Sequence, residues 1–125
     1  MAKLDKKGFI TELEDDEVFV FGSNMNGFHS GGAAKTAIDK FGAEWGHYEG
    51  RTGKCWAIST LNTRMEKVSL DYIKWQLEDL VKWADRFEED IFYLTPIGQG
   101  IAGFTREEIE SVMPELPKNI IKINW

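Results

Sequence analysis

Apolar residues gather in short runs along this chain, and the runs alternate with two stretches of helical periodicity. Val18, Phe19, Val20 and Phe21 are too apolar on both faces for a strand wetted on one side, which predicts a strand inside a sheet. Residues 55–58, Cys-Trp-Ala-Ile, predict a second buried strand ending at Ser59 and Thr60, and residues 91–95, Ile-Phe-Tyr-Leu-Thr, predict a third. Beyond the break of Pro114 and Pro117, Ile120, Ile121 and Ile123 predict a last strand running to Trp125. Residues 8–17, GFITELEDDE, read as a short edge strand followed by a solvated acidic turn. Residues 45–53 mix aromatics with glycine and read as a loop or irregular strand, in which His47 and Tyr48 either touch a ligand or simply pack.

The first helical pattern follows Gly32, where Ala34, Ala37, Ile38 and Phe41 recur on one side and Gly42 supplies a stop. The second covers residues 70–87, with Leu70, Ile73, Leu77, Leu80, Val81, Ala84 and Phe87 on one stripe. Tyr72, Trp75, Asp79 and Trp83 fall on nearly the opposite side, where large aromatics call for a cover. Either another segment supplies it or a second copy of the chain does, and so short a chain favours a homo-oligomer. Residues 105–113, TREEIESVM, open a third helix with a capping box of Thr105 and Glu108. Strands alternating with helices predict a single α/β domain over residues 1–125, with a mixed sheet of about five strands and helices on both faces.

Composition narrows what such a domain can do. A net charge of −6 argues against wrapping nucleic acid, which rests on Lys and Arg neutralising phosphates. A small phosphate ligand stays open, because backbone N–H groups hold it without a basic patch. Cys55 is the single cysteine, so an internal disulfide is excluded, and with only His29 and His47 beside it no zinc site is expected. No apolar run approaches the roughly 20 residues that cross a bilayer, and MAKLDKKGFI lacks the apolar core of a signal peptide. A cytoplasmic protein without membrane contact is expected.

The candidate chemistry lies in two glycine loops, each placed after a buried strand and before a helix. The first, Gly22-Ser23-Asn24 through Gly31-Gly32-Ala33, leads into AAKTAIDKF; the second is PIGQGIAGF, residues 96–104. Glycines permit close approach of backbone to a ligand, and a helix N-terminus offers unpaired N–H groups to an anion. Two such loops suit a diphosphate clasped from both sides.

These residues resemble the macro domains, a family that binds ADP-ribose and related nucleotides. Asn24 with Gly31-Gly32 and the following AAKTAIDKFG is similar to the family's first ligand loop and helix. RTGKCWAIST, residues 51–60, is similar to its threonine-glycine segment, and IFYLTPIGQGIAGFTREEIESVM, residues 91–113, to its strand, phosphate loop and helix. Small macro-like proteins, some phage-associated, share the FGSN and IGxGxAGF signatures. The resemblance implies a shortened three-layer α/β/α sandwich that binds ADP-ribose or a similar nucleotide and needs no cofactor. It implies that Asn24 bonds the distal ribose, that Gly31, Gly32 and Ala33 lie against that sugar, and that Thr60 stands nearby. It further implies that Gly98, Gln99, Gly100, Ile101, Ala102 and Gly103 wrap the diphosphate while Phe104 closes over the ribose. Phe9 stands where the family carries an adenine-reading aspartate, so stacking on its ring replaces that contact. Ala34 stands where the hydrolytic members carry an aspartate; Asn24 and His29 are then the candidates for catalysis of ADP-ribosyl or phosphoribosyl hydrolysis, and simple binding is the leading expectation.

Overall fold

The computed structural model of the chain describes residues 1–29 and 31–125. In order along the chain come β1 (Lys3–Leu4), β2 (Ile10–Glu12), β3 (Glu17–Asn24), α1 (Gly32–Phe41), β4 (Gly50–Thr52), β5 (Cys55–Leu61), α2 (Leu70–Arg86), β6 (Ile91–Leu94), α3 (Arg106–Ser111) and β7 (Ile120–Lys122). The five-stranded sheet has the order β4-β5-β3-β6-β7. It is parallel except where β4 runs antiparallel to β5.

The two-sided apolar run puts β3 at the centre, because alternate residues feed two separate cores. Val18 and Val20 pack with Ile58, Ile73 and Leu77 on the α2 face. Phe19 and Phe21 pack with Ala37, Phe41 and Cys55 on the α1 face. Helices therefore cover both faces of a mixed sheet, as the alternation of elements predicted. Burial among these groups pushes the Cys55 thiol up to about 12, which keeps it protonated and inert.

Residues 8–17 behave differently from the expected edge strand. β2 pairs antiparallel with β1 in a separate two-stranded ribbon, and the sheet's edges belong to β4 and β7. β4 reaches its edge through a tight link at Gly53, where φ is +57° and an added Cβ would lie 2.5 Å from the carbonyl carbon of Gly42. Only glycine fits there.

In α2, Ile73, Leu77, Leu80 and Ala84 are fully buried as the periodicity predicted, and Ser69 caps the N-terminus by accepting the Tyr72 N–H at 3.1 Å. Phe87 is a correction. It ends the helix instead of joining its core stripe, and its 41% exposed ring stacks on Trp83. Gln76 is buried in its place within the stripe. Its Oε1 accepts the Ser59 N–H at 2.7 Å and its Nε2 donates to the Ser59 carbonyl at 2.8 Å, completing β5 beyond the end of β4. Among the described residues no helix is long and apolar enough to cross a membrane.

Candidate functional site

The first loop begins where the β3–β5 register shifts, so that Asn24 stands opposite Leu61 and Thr60 is left over. Asn24 is almost fully buried, and its side chain organises the loop that follows. Nδ2 donates to the Phe28 carbonyl at 2.8 Å, while Oδ1 accepts the N–H groups of Asn26 at 3.1 Å and Phe28 at 3.3 Å. The second Nδ2 proton has no acceptor among the described residues. Ser23 donates its hydroxyl to the Tyr48 carbonyl, and Thr60 donates to the Ser23 carbonyl at 3.1 Å. Both hydroxyls thus brace the loop.

α1 follows with an N-cap at Gly31 that carries no side-chain cap, and no acidic residue occupies its first turn. The Lys35 N–H bonds back to the Gly31 carbonyl at 3.2 Å. The N–H groups of Gly32, Ala33 and Ala34 have no intrahelical acceptor, as at any helix start, and the positive end of the helix dipole lies with them.

The second loop is closed by two backbone bonds, Phe104 N–H to the Gly98 carbonyl at 2.8 Å and Gly103 N–H to the Gly100 carbonyl at 3.0 Å. Between them the N–H groups from Gly98 to Ala102 donate to no acceptor among the described residues. Successive N–H groups in a glycine turn are able to form an anion-binding concavity. α3 adds nothing to it. Its capping box forms as predicted, but Thr105 Oγ1 takes the Glu108 N–H and Glu108 takes the Thr105 N–H, and Glu107 and Glu108 fill the first turn with negative charge. The expected loop of free N–H groups thus precedes α3, and the N–H groups of Arg106 and Glu107 also have no acceptor among the described residues, but α3 itself lines neither cavity.

The two loops line one cavity of about 530 Å³. Gly22, Ser23, Asn24, Gly31, Gly32 and Ala33 contribute from one side, Gly98, Gly100, Ile101 and Ala102 from the other, with Thr60 between them. Among the described residues that line it there is no Asp, Glu, His, Lys or Arg. A second cavity of about 400 Å³ adjoins it, sharing Gly32, Ala33, Thr95 and Pro96. Phe9 lines this second cavity with its ring 53% exposed, beside Asp5, Lys40 and Asn124.

Four of the expected site residues stand elsewhere. His29 is 2% exposed and lines neither cavity. Its ring lies edge-on to Phe21 and Trp45, and Nε2 meets the His47 carbonyl at 2.9 Å, so the aromatics that flank the loop have drawn it inside. Phe104 is core, packed where a Cβ on Gly98 would lie 3.0 Å from its ring, with the Lys67 ammonium 4.7 Å from its centroid. Gln99 and Gly103 belong to the second loop but line neither cavity.

Sequence reasoning missed Phe28, Met65, Thr95 and Pro96 as lining residues. Phe28 and Met65 carry no local signal, whereas Pro96 opens the second loop and was within reach. On α2, Tyr72 is half-buried and gives its hydroxyl to Glu49, so the chain itself covers part of the aromatic face. Trp75 remains 57% exposed and Trp83 41%. No protein-family model, curated protein or solved structure matches the chain.

Proposed function

We propose that this chain binds ADP-ribose or a closely related ribose-phosphate nucleotide, in a shortened fold of macro-domain type. The observation that carries the reading is the convergence of two glycine loops on one cavity, each presenting backbone N–H groups that have no acceptor among the described residues. The diphosphate lies against the N–H groups of Gly98 to Ala102, the distal ribose lies by Gly31, Gly32 and Ala33 with the remaining Asn24 proton, and the base extends past Ala33 and Pro96 toward Phe9. Neutral walls and unpaired donors favour a small anion in a chain whose net charge is −6.

Binding fits better than turnover. Hydrolysis at an anomeric carbon calls for a group that orients or deprotonates water; Ala34 lines the main cavity, His29 is packed away from it, and the described residues there carry no titratable side chain.

Calorimetric titration with ADP-ribose tests this reading. The native chain binds, and Ala33→Asp, which sets a carboxylate at the start of α1, weakens binding by about tenfold or more. Absence of heat at millimolar ADP-ribose contradicts it. A second reading, a homo-oligomer joined through Tyr72, Trp75 and Trp83, is favoured by the exposed indoles of Trp75 and Trp83; a monomeric native chain in sedimentation excludes it.

A further inference from the structure

Each of the two adjoining cavities is lined by a phenylalanine whose backbone is fixed by hydrogen bonds from a residue four positions earlier. Phe28 lines the main cavity and Phe9 the adjoining one, and the two residues are 54% and 53% exposed. Phe28 has both backbone groups pinned by the Asn24 carboxamide four residues earlier. Phe9 has both pinned by Asp5, also four residues earlier, through its N–H to Asp5 Oδ1 at 3.0 Å and its carbonyl from the Asp5 N–H at 2.9 Å. Phe28 is steadied further by stacking on Trp45, at 5.7 Å between centroids and 24° between planes.

An exposed phenylalanine on a loop ordinarily gains nothing from being fixed, since ordering it costs entropy without burying its surface. A phenylalanine on a fixed backbone, exposed at a cavity, offers a stacking platform to a flat ligand group. ADP-ribose has one base and satisfies one such platform. The other, Phe28, lines the main cavity together with Asn24, the residue assigned above to the distal ribose.

We propose that the groove is built for a dinucleotide, two ring-bearing ribosides joined through a diphosphate, with one ring on Phe9 and the second on Phe28. This rests on the nucleotide reading above and names its substrate class. The midsection is unchanged: the second loop holds the diphosphate, and the start of α1 lies beside the ribose that carries the second ring.

The test compares ADP-ribose, nicotinamide adenine dinucleotide and diadenosine diphosphate on the native chain by calorimetry. The last carries a second ring without the pyridinium charge. Both dinucleotides bind about tenfold tighter than ADP-ribose, the effect of one stacked base. Phe28→Ala removes that preference while retaining ADP-ribose binding, and Phe28→Tyr preserves it; far-ultraviolet circular dichroism establishes that each variant is folded. Dinucleotides that bind no tighter than ADP-ribose, or a preference that survives Phe28→Ala, overturn the inference and leave the ADP-ribose reading standing. If none of the three binds, both fall together.

Discussion

Gly22 of β3 stands against Gly98 of the second loop, so closely that a Cβ on Gly22 would lie 3.4 Å from the Gly98 nitrogen. The two halves of the site meet at that point. Gly98 itself has φ +72°, and a Cβ there would come within 3.0 Å of Phe104 and 3.2 Å of Ile109. Gly98→Ala therefore lowers stability by about 1–2 kcal/mol from backbone conformation alone and displaces the loop. Gly22→Ala is accommodated, whereas Gly22→Val presses on Gly98 and weakens ADP-ribose binding in a chain that still folds. Urea denaturation and titration of the same preparations check this; unchanged affinity in Gly22→Val contradicts it.

Gln76 satisfies both backbone groups of Ser59 inside the protein. Gln76→Leu leaves a buried N–H and a buried carbonyl without partners, at a cost of about 2–4 kcal/mol. Gln76→Glu retains the acceptor, loses the donor and buries a charge, so it is the worse variant at neutral pH and recovers in part as pH falls. Denaturation curves at pH 7 and pH 5 measure both effects.

Stability should also fall at acid pH through Glu17. Burial by itself raises this carboxyl, but the Tyr93 hydroxyl at 2.5 Å, the Glu14 backbone and the N-terminal ammonium hold it below its ordinary value of 4.5. A depressed carboxyl contributes stability that is present above 4.5 and lost as pH falls through the folded value. Tyr93→Phe removes the hydroxyl's hydrogen bond to this carboxylate and lowers stability near neutrality by about 1.5–3 kcal/mol. The deficit shrinks as Glu17 protonates, and acid unfolding starts at a higher pH. A deficit that stays constant from pH 7 to pH 3 contradicts this account.

Features fixed by neighbours in the chain were legible in the sequence. The run from Val18 to Phe21 marked the central strand because both its faces are apolar, and Thr105 with Glu108 formed their box because capping is local. The place of α3 was harder to read, since it follows the second loop yet lines neither cavity. Gln76 was readable in principle, as it lies three residues past Ile73 within the apolar stripe. His29 was not, because Phe21 and Trp45 enclose it from outside its own loop. The second cavity was equally hidden, being assembled from Asp5 and Phe9, from α1, and from Ile123 and Asn124 at the far end of the chain.

That both loops hold one nucleotide is tested most directly by following backbone amide resonances during an ADP-ribose titration. The amides of Gly32, Ala33 and Ala34 and those from Gly98 to Ala102 are predicted to shift together along one saturating curve. Shifts confined to one loop, or none in either, would contradict the account.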